Sequence, residues 1–172
     1  MKVRYLLLSS VVGGLVSFGW GLAAPGLFKS LQPNAFTEAG VVEAVKNAAP
    51  ANGVYKDDRG VFATVDLERD LSPKLGSPVV PMATHLAVEV VVAFLLAWLL
   101  LRLPSWSAFG TGTVFATVAV AAGLAQLLPQ SIWFFFPTNY QLANLAELVI
   151  GWFLLGLILA TFRKRIMLRE TA

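Results

Sequence analysis

Apolar residues fall in four long blocks along this chain, and the segments between them differ sharply in character. The blocks are Tyr5 to Ala24, about Ala83 to Leu103, about Ala108 to Leu128, and about Tyr140 to Phe162. Each supplies the roughly 20 residues a helix needs to cross the hydrocarbon core of a bilayer. The polar–apolar alternation of a transmembrane barrel is absent. Backbone N–H and C=O groups find no water in lipid, so these blocks predict α-helices. The expected fold class is therefore all-α membrane: a first transmembrane helix in residues 1–24, an extracytoplasmic segment of small α+β character in 25–82, three further transmembrane helices in 83–163, and a cytoplasmic tail in 164–172.

The segment between the first two blocks is polar and carries six of the nine prolines. Thr37 is placed to cap a short helix over about Glu38 to Ala48, with Val41, Val42 and Val45 on one face. Asn52-Gly53 is a turn signal. Val54-Tyr55 and Val61 to Val65 predict two short strands forming a hairpin around KDDRG. Pro73, Pro78 and Pro81 then lead back to the membrane. So small a segment buries little core alone and must lean on the bilayer, the helix ends or a partner.

Composition sharpens the class. Hydrophobic residues make up 57% and charged residues 13% of the chain, and there is no cysteine. Disulfides, iron–sulfur ligation and thiolate metal sites are excluded. The net charge of +3 matters less than its placement. Lys2, Arg4, Arg102, Arg163, Lys164, Arg165 and Arg169 all flank apolar blocks, which reads as membrane orientation and not as a nucleic-acid surface. The intervening segment 25–82 instead balances six basic against seven acidic residues. This asymmetry predicts cytoplasmic N- and C-termini. A cleaved signal peptide is the rival for the first block, since its apolar run ends in the small residues GLAAPG.

Two stripes of small residues stand out. Ser9, Gly13, Ser17 and Gly21 recur every four residues in the first block, and Thr113, Thr117, Ala121 and Ala125 do so in the third. Such stripes predict faces of close helix contact in lipid.

PQSIWFFFPTNY, residues 129–140, crowds four aromatics between two prolines. The spacing predicts that Pro129 ends the third helix, that Pro137 precedes the fourth, and that the aromatics float the elbow at the outer interface. A docking surface for a quinone, pigment or lipid is the functional alternative. Trp20 and Trp106 sit at block ends, as interfacial aromatics do. Trp152 lies mid-block, so its ring N–H should face protein and find an acceptor.

The remaining signal is polar. Glu89 and Glu147 interrupt apolar blocks, and an ionisable residue within a span is costly. Antiparallel threading puts both at similar depth, roughly 10 Å in from the outer boundary. His85 lies four residues before Glu89 and Asn144 three before Glu147, while the third block brings Gln126 to the same level. His85, Glu89, Gln126, Asn144 and Glu147 are therefore the candidate cluster, with neither carboxyl expected to point into lipid. Gly151, one turn beyond Glu147, leaves room for a close helix. The cluster can serve as interhelical hydrogen-bond glue, as a proton or transport path, or as a metal or cofactor site through His85. No motif singles out one of these. There is no Glu-x-x-His, no His-Glu-x-x-His, and His85 is the one histidine.

FGWG at 18–21, VxxAVKNAAPANGVY at 41–55 and LAELVIGWFLLGLILA at 145–160 together resemble a family of small bacterial four-span inner-membrane proteins. The resemblance implies a one-domain inner-membrane protein and no particular activity. The function expected is a structural or accessory subunit, not an enzyme, that binds no cofactor and no nucleic acid. Its partners are the lipid bilayer and other membrane subunits or itself. A small transporter or proton-conducting module using Glu89 and Glu147 is the alternative.

Overall fold

A computed structural model describes residues 2–31, 39–56, 62–65, 79–134 and 136–168. Helix α1 spans Lys2–Leu27 and is followed by a single 3-10 turn at Lys29–Leu31. Helix α2 is Ala39–Ala48. Strands β1, Gly53–Lys56, and β2, Phe62–Val65, pair antiparallel with Gly53 opposite Val65 and Lys56 opposite Phe62. Helices α3, α4 and α5 are Val79–Leu100, Ala108–Phe134 and Thr138–Leu168. The four helices α1, α3, α4 and α5 are long and apolar enough to cross a membrane, and α2 with the hairpin lies between the first two in sequence. Thr37 and the stretch holding Pro73 and Pro78 lie outside the described residues.

The helices outrun the apolar blocks that mark them. α1 continues through Pro25, and α4 continues through Pro129 to Phe134. The expected stop at Pro129 is thus corrected. A proline removes one ladder bond, and a spanning helix tolerates that loss because its other backbone groups stay paired. The helix is closed instead by the Phe136 N–H donating to Gln130 O at 3.3 Å. α5 likewise runs past Phe162 and keeps Arg163, Lys164 and Arg165 on the helix.

Packing makes α1 and α5 the centre. α1 lies against α3 and α5, α5 lies against α1 and α4, and α3 and α4 make no extensive contact although they are consecutive. The core comprises Tyr5 from α1, Ala93, Ala97 and Leu100 from α3, Phe115 from α4, and Leu155 and Leu159 from α5. Between apolar helices in lipid there is no hydrophobic drive, so association depends on how closely the backbones approach. Glycines decide this. A Cβ on Gly14 would lie 2.7 Å from Val90 Cα and 2.8 Å from Val90 N, so α3 rests on the α1 backbone itself. Its neighbour Gly13 faces α5 as well: a Cβ there would meet Leu155 Cδ1 at 2.7 Å and Ala93 Cβ at 3.1 Å. At the α4–α5 crossing, a Cβ on Gly156 would lie 2.8 Å from Gly112 Cα.

The small-residue stripe read in the first block therefore lies on the side of α1 that meets its neighbours. Ser9 and Gly13 are buried, Ser17 and Gly21 half-buried. The stripe read in the third block does not pack: Thr113, Thr117, Ala121 and Ala125 are exposed. The buried line of α4 is Thr111, Gly112, Phe115, Ala119 and Gly123. Two causes combine. Gly112 and Gly123 open a deeper groove than threonines can. The Thr113 and Thr117 hydroxyls donate to carbonyls of their own helix, Phe109 O at 3.0 Å and Thr113 O at 2.9 Å, and need no neighbour.

Gly14→Ala should destabilise the fold by about 1–3 kcal/mol, the usual cost of overpacking, because the new methyl meets backbone that cannot rotate away. Gly19→Ala is the control, since a Cβ there meets nothing within 4 Å. Thermal unfolding in detergent should separate the two. Equal melting temperatures would count against the α1–α3 crossing.

Candidate functional site

Two direct hydrogen bonds join α1 to α5, one near each end of the contact. Tyr5, fully buried, donates from its hydroxyl to Leu159 O at 3.3 Å. Trp20 donates from its indole Nε1 to Glu147 O at 2.9 Å. The acceptors are helix carbonyls, each with a second lone pair available beyond its own ladder bond. Along the axis the two bonds are about 20 Å apart. Gly151 creates the seat for Trp20: a Cβ there would lie 3.0 Å from the indole Cδ1.

Around the Trp20 bond the polar side chains gather. His85 Nε2 lies 3.5 Å from Glu89 Oε1 one turn further along α3. Phe18 and the imidazole meet in a T-shaped contact with ring centroids 5.4 Å apart. Gly21 of α1 stands between helices here. A Cβ on it would be 3.4 Å from His85 Cε1, 4.0 Å from His85 Nε2 and 4.0 Å from Glu147 Oε1. The missing side chain at Gly21 thus lets the α3 imidazole and the α5 carboxyl come to one level beside the α1 backbone. Glu89 and His85 of α3 and Glu147 of α5 gather around Gly21 of α1, with His85 paired to Glu89.

The other two candidates lie elsewhere. Gln126 is exposed on α4 and has no hydrogen bond among the described residues. Asn144 belongs to a second polar chain. Its Nδ2 donates to Gln141 Oε1 at 3.3 Å, and Gln141 Nε2 donates to Gln130 Oε1 at 2.9 Å. Gln141 is 5% exposed, so this chain fastens the α4–α5 hairpin beneath the elbow. Gln130, Gln141 and the Trp20 bond are the polar contacts missed from the sequence. The available signal was the spacing of Gln141 and Asn144, three apart on one helix face, opposite a glutamine just past Pro129. At the elbow, Phe136 stacks on Tyr140 with centroids 6.3 Å apart, while Trp133 is 65% exposed. Trp152 is half-buried against the core and finds no hydrogen-bond acceptor among the described residues. Trp20 makes the indole bond expected there.

Among the described residues, no three His, Asp or Glu side chains are close enough together to hold a metal ion. Searches of protein families, curated proteins and solved structures found no match to this chain. Its class rests on its own geometry: four long apolar helices, with a short helix-and-hairpin segment between the first and second in sequence, make it a four-span integral membrane protein.

The Gln130–Gln141 bond should show as a coupling. In a double-mutant cycle with Gln130→Ala and Gln141→Ala, the interaction energy is expected near 0.6 kcal/mol, the membrane average for such bonds. Strictly additive effects on unfolding in detergent would remove the pair as a fastening.

Proposed function

We propose that the protein is a structural or accessory subunit of the bacterial inner membrane, without catalytic activity, that packs through the flank of α3 against a larger membrane complex or a second copy of itself. One observation carries this reading. The side chains of His85 and Glu89 are 48% and 25% exposed on α3. They lie about 10–15 Å along the helix from its start, a depth at which polar groups facing lipid are costly. A neighbouring membrane protein would supply the hydrogen bonds that lipid cannot. The shape of α3 agrees: it leans on α1, and Val88, Val91, Leu95 and Trp98 leave much of its length uncovered.

A second reading draws support from the arrangement of Glu89, His85 and Glu147 around Gly21. An imidazole next to two carboxyls can accept a proton from one and pass it to the other, which suits proton conduction. The variant His85→Leu/Glu89→Leu separates the readings. Under the subunit reading it releases the partner, seen as a smaller complex in mild detergent, while the chain stays folded. Under the conduction reading it leaves assembly alone and abolishes proton leak in dye-loaded liposomes. A variant that is more thermostable, equally associated and equally silent would leave the flank facing lipid and would sink both.

The proposed orientation places both termini in the cytoplasm. Lys2, Arg4, Arg163, Lys164 and Arg165 lie at one end of the spans, and α2 with the hairpin connects the opposite ends of α1 and α3. A reporter active only in the periplasm, fused after residue 172, should be silent, and activity there would reverse the topology.

A further inference from the structure

At the basic end of the helices lies a cavity of about 1010 Å³, bordered by the α3–α4 turn, the start of α1 and the last turns of α5. This is at the upper end of the roughly 300–1,000 Å³ that encloses a small organic ligand. Its charged lining among the described residues is of one sign: Lys2, Arg163, Lys164 and Arg165, with no carboxylate. These cations come from opposite ends of the chain and meet only because α1 and α5 pack together.

Arg163 builds the site. Its Nη1 donates to Pro104 O at 3.2 Å and its Nη2 to Leu103 O at 3.0 Å, which pins the turn and leaves three of the five guanidinium donors unused. Lys2, Lys164 and Arg165 have no hydrogen bond or ion pair among the described residues. The first turn of α4 adds a further positive element. Ser107 Oγ accepts from Gly110 N–H at 3.0 Å, while the positive end of this 27-residue helix borders the cavity at Ala108. The rest of the wall mixes the hydroxyls of Ser105, Ser107, Thr111 and Thr161 with apolar side chains. Half-buried Leu101 and Ala108 offer apolar surface beside the basic rim, and Trp106, 42% exposed, stands at the rim where indoles favour the headgroup level.

We propose that this cavity binds an anionic phospholipid, its phosphate held by Lys2, Lys164, Arg165 and the unused donors of Arg163, and the upper part of its acyl chains lying on Leu101, Trp106 and Ala108. A basic rim alone would take any anion. The basic rim joined to apolar surface at the bilayer boundary selects an amphiphile. The site is separate from the His85–Glu89 flank, so either assignment can fail without the other.

The test uses the full chain in mild detergent, with bound lipid counted by native mass spectrometry after adding phosphatidylglycerol or phosphatidylcholine of the same acyl chains. Phosphatidylglycerol should be retained and phosphatidylcholine lost. Lys164→Gln/Arg165→Gln should weaken retention about 25-fold, since each basic residue near anionic lipid contributes roughly fivefold. Arg4→Gln/Arg102→Gln removes the same charge at the same end from residues that do not line the cavity, and should change retention by less than about twofold. Lys2→Gln provides a third variant should the α5 pair impair folding. Equal losses in the cavity and control variants would overturn the proposal in favour of diffuse attraction. Equal retention of both lipids would overturn the phosphate-centred site. Displacement of the lipid by excess inorganic phosphate with no lipid preference would make it a plain anion site and overturn the lipid assignment.

Discussion

Close approach of helix backbones at glycine is the constraint on which this structure depends. In lipid, a leucine gains nothing by leaving hydrocarbon for another leucine, so helices are held by contact distance and by the few polar bonds that distance allows. Gly13 and Gly14 bring two different helices onto one stretch of α1, and Gly112 with Gly156 brings α4 onto α5. The indole of Trp20 reaches Glu147 O only because Gly151 vacates its path, and His85 and Glu147 approach the same stretch of α1 only because Gly21 has no side chain. The polar geometry is therefore downstream of the glycine pattern.

The same logic explains why the two polar groupings differ in kind. Gln130, Gln141 and Asn144 sit between α4 and α5, whose backbones touch, and they are bonded to one another. His85 and Glu89 sit on α3, whose fully buried residues are Ala93, Ala97 and Leu100. All three lie nearer the basic end than the His85–Glu89 pair does. The helix is well seated there and more open where its ionisable residues are, which is why the flank, more than the interior, attracts a functional reading.

The four spans could be read from the chain because apolar length alone decides them, and the hairpin could be read from the strand formers Val54-Tyr55 and Val61 to Val65 on either side of KDDRG. The facing of polar residues could not. Helix phase places Gln126 and Gln130 one turn apart, yet one is exposed and the other bonded across the interface. Treating Pro129 as a terminus removed Gln130 from consideration and left Asn144 without its true associates. Trp20 carried every mark of an interfacial aromatic, since nothing near it in sequence points to Gly151 as its seat. The threonine stripe of α4 misled for a related reason: four-residue spacing identifies a face, but only the neighbouring helix decides whether that face is used.

The central place of α1 has a consequence for biosynthesis. α4 and α5 are adjacent in the chain and can pair as a hairpin once both have entered the bilayer. α1 emerges first, but its partners begin only at Val79 and Thr138. Until they are inserted, Gly13, Gly14 and Gly21 leave an open groove along a solitary helix, and the buried hydroxyl of Tyr5 has no Leu159 carbonyl to meet. During that interval the helix is stabilised by whatever the insertion machinery offers it. Its attachment to α5 is a late event, made across most of the length of the chain.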